Sequence, residues 1–155
     1  MKCIYIFIAV IFLSAGSAYS ADCPAGRYAE LIQQGKAAES EKEWERAIDL
    51  YSNILSECRS AVPAADLPKA YDSLSSAQLM LGRYQDALES SEQCIALDNR
   101  YNACMMTAAR VHEARGDRQR AIEAARDAAA VEPYDDYSAA VSILANDFLR
   151  RYKQK

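Results

Sequence analysis

The chain has 155 residues, 51% of them hydrophobic and 26% charged, and a formal net charge of −4. Its basic residues are interleaved with acids except at Arg150, Arg151, Lys153 and Lys155, so the clustered positive charge that grips a phosphate backbone is missing and nucleic acid is disfavoured as a partner. The basic tail has a simpler reading, as cations that complement the dipole at the C-terminal end of a helix.

Lys2, the apolar run from Cys3 to Leu13 and the small-residue stretch Ser14 to Ser20 follow one another at the start. That order, ending in an Ala18-Tyr19-Ser20 cleavage box, predicts a signal peptide over residues 1–20 and a short N-terminal segment over 21–26. The run is too short for a membrane span, which needs roughly 20 apolar residues, and Asp22 ahead of Cys23 does not resemble a lipobox. The expected location is therefore exported, periplasmic or secreted, with no stable membrane insertion once the signal is cleaved. Removing Lys2 moves the net charge from −4 to near −5, and about 135 residues remain, enough for one domain with a continuous core.

Cys3 leaves with the signal, and Cys23, Cys58, Cys94 and Cys104 remain. An even number in an exported chain reads as disulfides. No C-x-x-C occurs, which removes the usual spacing of a redox enzyme or a zinc ribbon.

Glycine and proline punctuate the rest, and almost no segment alternates with the period of two that a half-buried strand requires. The spacing predicts helices over 25–40, 43–58, 67–81, 84–97, 101–115, 118–131 and 136–152. Gly82 and Gly116 stand where left-handed caps end helices, Asp66 is expected to N-cap the helix that opens with Leu67 and Pro68, and Pro133 closes the sixth. Connections this short make successive helices antiparallel neighbours.

Two stretches share one pattern. "LGRYQDALESSEQCIALDNR" (81–100) and "RGDRQRAIEAARDAAAVEP" (115–133) repeat the same glycine, alanine and apolar positions, with Ala87 matched by Ala121 at an offset of 34 residues. "EKEWERAIDLYSNILSECR" (41–59) places Ala47 in the same role, 40 residues before Ala87, so "RSAVPAADLPK" carries about six extra residues. A 34-residue period built of two helices resembles the tetratricopeptide repeat. Tyr71, Leu74, Ser75, Gly82, Tyr84, Ala87 and Cys94 fill that motif in the middle unit. Met105, Ala108, Ala109, Gly116, Ala121, Ala125, Ala128 and Pro133 fill it in the third. The first unit is looser, with Leu31, Gly35, Trp44, Ala47, Tyr51 and Ile54 in register but no turn glycine. Sel1-like repeats, with longer periods and cysteine pairs inside each repeat, fit less well.

The resemblance implies an all-α, right-handed α-solenoid over 27–155: repeats at about 28–61, 68–101 and 102–135, then a capping helix at about 136–152. Small residues such as Gly35, Ala47, Ser75, Ala87, Ala109 and Ala121 would let paired helices approach. An apolar stripe of Tyr137, Val141, Leu144 and Leu149, with Phe148 beside it, would cover the third repeat. Cys94 and Cys104 lie about five residues either side of the turn at Asn99 and should face each other, which leaves Cys23 to Cys58, although four cysteines allow three pairings.

The resemblance also implies that the first helix of each pair lines a concave groove that binds a protein or peptide. By helical phase the groove residues are Lys36, Glu39, Asp72, Ser76, Met80, Met106, Arg110 and Glu113. This mixed surface suits an extended peptide or a partner helix. Ile32, Ser73, Ala103 and Thr107 stand where the carboxylate-clamp members of the family carry asparagine and lysine, so that specialised function is not expected. The chain reads as a non-enzymatic interaction module without cofactor or metal. The competing reading is a thiol-active or metal-dependent enzyme using Cys94, Cys104 or His112; His112 lacks the further groups a triad or a zinc site would need. The acids around Trp44 and the pair Asp135 and Asp136 lie at expected helix starts, where the dipole favours them.

Overall fold

The computed structural model describes residues 23, 24 and 26–153; the expected signal segment and its cleavage site lie outside them. Seven helices follow in order: α1 Arg27–Ser40, α2 Trp44–Glu57, α3 Leu67–Met80, α4 Tyr84–Leu97, α5 Asn102–Ala114, α6 Arg118–Ala130 and α7 Asp136–Lys153. All seven lie within two residues of the bounds expected from the sequence. The extra residues between α2 and α3 include a 3-10 turn at Arg59–Ala61, which the sequence pattern did not foresee. Among the described residues there is no strand, and no helix is long and apolar enough to cross a membrane.

The three pairs α1/α2, α3/α4 and α5/α6 are closed by the same turn. Glu43 N–H donates to Ala38 O (2.8 Å), Arg83 N–H to Gln78 O (2.9 Å) and Asp117 N–H to His112 O (2.9 Å). Each bond spans five residues, as in a Schellman cap, which requires a left-handed residue just inside it. Gly82 (φ 72°) and Gly116 (φ 79°) supply that conformation, and in the first pair Lys42 adopts it with φ 61°.

Close approach of paired helices rests on the small residues. Ala47, Ala87, Ala109 and Ala121 have no exposed surface. Gly35 is buried against Tyr51 of α2, and a Cβ there would come within 2.8 Å of the tyrosine ring. In the second pair the same contact is polar: Ser75 Oγ donates to Ala87 O (2.8 Å) and lies 2.7 Å from Ser91 Oγ. Beside it, Ser90 Oγ donates to Gln78 Oε1 (2.8 Å). Burying hydroxyls in satisfied pairs avoids the desolvation penalty that a lone buried hydroxyl carries.

The core falls into two clusters. One gathers Leu31, Ile48, Tyr51, Ile54 and Leu74 from α1 to α3; the other gathers Ala109, Ala121, Ala125, Val141 and Phe148 from α5 to α7. Disulfides reinforce both. Cys23 is bonded to Cys58, with Cα atoms 4.8 Å apart, and Cys94 to Cys104, with Cα atoms 6.2 Å apart. The second bond joins α4 to α5 and so locks one pair to the next.

Two expectations need correction. Asp66 precedes α3, but its side chain makes no capping bond and instead accepts from Lys69 Nζ (2.9 Å). On α7 Val141, Phe148 and Leu149 pack on the second core cluster as expected, whereas Tyr137 (52% exposed) and Leu144 (58%) face solvent and Ser138, Ser142 and Ala145 are buried instead. On the buried serine side, Asn102 Nδ2 donates to Ser138 O (2.9 Å) and Ser142 Oγ (3.1 Å). These buried bonds draw a serine face inward where an apolar count pointed to tyrosine and leucine. The start of α7 is well capped, with Asp135 Oδ1 accepting from Ser138 N–H (2.7 Å).

Candidate protein-binding groove

The first helices of the pairs, α1, α3 and α5, bring polar side chains together from different repeats. Asp72 of α3 accepts from Thr107 Oγ1 of α5 at 3.0 Å. Its carboxyl is pushed up to about 6, chiefly because its surroundings desolvate the charged form; the nearby charge of Glu39 adds to the rise, while the Thr107 hydrogen bond and Arg110 oppose it. Glu39 of α1 is half-buried and its carboxyl is raised for the same first reason. Acids therefore stand at the centre of the surface, with the exposed cations Lys36, Lys69 and Arg110 around them.

A cleft of about 200 Å³ opens between α1 and α3, lined by Tyr28, Ile32, Lys36, Tyr51, Lys69 and Ser73 among others. Tyr51 reaches it from α2 because Gly35 leaves its ring room. The ring is fully buried, its hydroxyl has no hydrogen-bond partner among the described residues, and desolvation pushes the phenol up to about 12.

The eight groove residues expected from helical phase do not share one environment. Lys36 and Arg110 are exposed, Met80 is 51% exposed, and Glu39, Asp72 and Ser76 are half-buried. Met106 is only 9% exposed and packs in the second core cluster, so it is a core residue. Glu113 accepts from Tyr152 Oη (2.9 Å) and lies 3.9 Å from Arg151; α7 has already engaged it. Tyr101, not anticipated from the sequence, meets Tyr137 of the expected α7 stripe. Their rings stack with centroids 6.1 Å apart at the α5–α7 end, and burial together with the charge of Asp72 raises both phenols. Tyr101 precedes α5 and carried no expectation, while Tyr137, in the first turn of α7, was expected in the apolar stripe over the third repeat.

No family profile and no curated protein matches the sequence, but solved structures do. The chain is similar to the tetratricopeptide-repeat domain of Arabidopsis OM64, with 19% identity and a TM-score of 0.63 over 81% of this chain and 95% of that one. The tetratricopeptide-repeat domain of Sgt2 from Aspergillus fumigatus is 22% identical, with a TM-score of 0.64 over 88% and 87%. The second such domain of human RPAP3, solved in complex with the HSP70 peptide SGPTIEEVD, is 18% identical, with a TM-score of 0.60 over 79% and 98%. The fold is a tetratricopeptide-repeat solenoid. At these identities the likeness is one of fold, and it matches the 34-residue register that the sequence displays.

Within this solenoid the groups considered for chemistry are dispersed. Cys94 and Cys104 are fully buried and bonded to each other. His112 is half-buried on α5, with burial lowering its imidazole pKa. Among the described residues no three His, Cys, Asp or Glu side chains gather as a metal site.

Proposed function

We propose that the chain is a non-enzymatic protein-interaction module that holds a peptide or a partner helix against α1, α3 and α5. The observation that carries this reading is the Asp72–Thr107 bond between α3 and α5, which fixes a polar, partly desolvated surface across two repeats beside the α1–α3 cleft. Rigid helices present it, so little side-chain ordering opposes binding. The peptide complex of RPAP3 supports the reading by analogy of fold. The signal pattern and the two cross-links further support export to an oxidising compartment, periplasmic or extracellular.

Photo-crosslinking amino acids placed at Ser76 and Arg110, with Glu92 on α4 as a control, test the groove in the exporting cell. Protein adducts at the first two positions and none at the third are expected. Adducts confined to Glu92 would place the binding face elsewhere. N-terminal analysis of the same preparation should read Ala21 first, and a chain that keeps Met1 to Leu13 in the membrane fraction would overturn the export reading.

A further inference from the structure

Ser75, Ala109 and Ile143 follow one another at the repeat offset of 34 residues. The first two are buried where α3 meets α4 and α5 meets α6: Ser75 is fully buried against Ala87 and Ser91, and Ala109 has no exposed surface. Ile143 is 62% exposed. The helix α7 thus has the register of a first helix, packed on α5 and α6 through its serine face, with no second helix against it among the described residues. Arg150 stands 34 residues after Gly116, and in place of a glycine turn α7 runs on to Lys153.

A cleft of about 630 Å³ lies between α6 and α7, and its α7 wall begins at Asn146, three residues after Ile143. Ile122, Leu149 and Tyr152 give it apolar walls, and Arg126, Arg150 and Lys153 give it a basic rim. The adjoining hollow adds Arg118 and one acid, Glu123. Arg118 is held in place, stacked 5.1 Å from the Tyr152 ring centroid and donating to Tyr152 O at 2.9 Å. Arg150 is paired with Asp147, whereas Arg126 and Lys153 make no ion pair among the described residues. Four cations against one lining acid, in a chain of net charge −4, is a local reversal of sign.

We propose that the α6–α7 cleft is a second docking surface, distinct from the groove, and that it takes an acidic amphipathic helix of a partner protein, seated where a second helix would pack on α7. The preceding second helices set its length at about 14 residues, as α2 and α4 have 14 each. The packing rule sets its sequence. Where the first helix carries Gly35, the second offers Tyr51, so a helix facing the larger Ile143 must present glycine or alanine there. Its flanks must be acidic to match the rim, since complementary charge selects partner and orientation. A recessed, two-walled seat of this kind fits a helix better than the plane of a lipid bilayer.

A stapled 14-residue helix with alanine opposite Ile143, leucines on the adjoining face and glutamates on both flanks is the probe, and its glutamate-to-lysine counterpart is the control. Fluorescence anisotropy should give the acidic probe an affinity at least about tenfold higher than the control, the equivalent of 1.4 kcal/mol, weakening as salt is raised. Ile143→Glu and Arg126→Glu should each weaken it about tenfold with unchanged thermal melts, because both side chains are exposed, while Asp72→Ala in the groove should leave it unchanged. Failure of the acidic probe to bind, equal binding of both probes, or binding indifferent to Ile143 and Arg126 would overturn the proposal. A concentration-dependent dimer abolished by Ile143→Glu in sedimentation would assign the face to a second copy. Co-sedimentation with phosphatidylglycerol vesicles, lost in Arg126→Glu, would assign it to a membrane. The groove reading stands or falls separately, on crosslinks from Ser76 and Arg110.

Discussion

Lys42 carries a left-handed backbone in a position that the other two pairs give to glycine. A side chain there costs about 1–2 kcal/mol, and glycine gives back part of that through its freer unfolded chain. Lys42→Gly is therefore expected to raise stability by about 0.5–1 kcal/mol, read as a higher urea midpoint at unchanged slope. Asp72 gives a prediction of the opposite kind. Its carboxyl titrates near 6 in the folded chain against an ordinary value near 4, so the folded state holds the proton more tightly and stability falls as pH rises through that window. Thermal melts should show Asp72→Asn stabilised relative to the parent at pH 7, with the difference shrinking towards pH 4. Met106 and Arg110, adjacent in phase, should separate. Met106→Ala removes a packed core side chain and should cost about 2–4 kcal/mol, whereas Arg110→Ala should stay within about 0.5 kcal/mol while weakening whatever the groove binds. Similar melts for the two variants would refute this division.

The two disulfides act on different elements. Loop-closure entropy assigns about 4 kcal/mol to the bond spanning 35 residues and about 3 kcal/mol to the one spanning 10. Cys94 and Cys104 are wholly buried between α4 and α5, while Cys23 is half-buried on the N-terminal segment. Under native conditions a mild reductant should therefore open Cys23–Cys58 first, detectable by alkylating new thiols and mapping the peptides; earlier labelling of Cys94 would contradict the burial order. Helix bounds, pair turns and small contact residues were legible in the sequence because 34-residue spacing and glycine placement express local geometry. The facing of α7 was legible in part, since Val141, Phe148 and Leu149 pack inward as expected but Tyr137 and Leu144 do not. Asn102 contacts Ser138 and Ser142 across 36 and 40 residues, and helical periodicity, which weighs only apolar positions, carries no trace of a buried amide that selects serine. Met106 was misplaced for a related reason: groove phase assumes that a first helix has one free side, yet α5 is flanked by α3 and α7 and keeps little of that side open. Tyr101 was overlooked because it precedes the first turn of α5, and Tyr137 was assigned to the stripe that covers the third repeat rather than to the groove end.

At the scale of the whole molecule, apolar packing is divided into an N-terminal cluster over α1–α3 and a C-terminal one over α4–α7. Where the two meet, α3 and α4 are joined by the polar Ser75–Ser91 and Gln78–Ser90 contacts. In a stack where each pair touches only its neighbours, unfolding can begin at either end and stop at an internal boundary. The cross-links alter what such unfolding does when the chain is stretched from its ends, as a protein anchored at one end and gripped at the other would be. Each intact disulfide short-circuits the polypeptide, and the two together withhold about 45 residues, roughly 150 Å of contour, from extension. Stretched in that way, the oxidised chain would have limited reach and bear the load through sulfur, and reduction would lengthen it in two discrete steps.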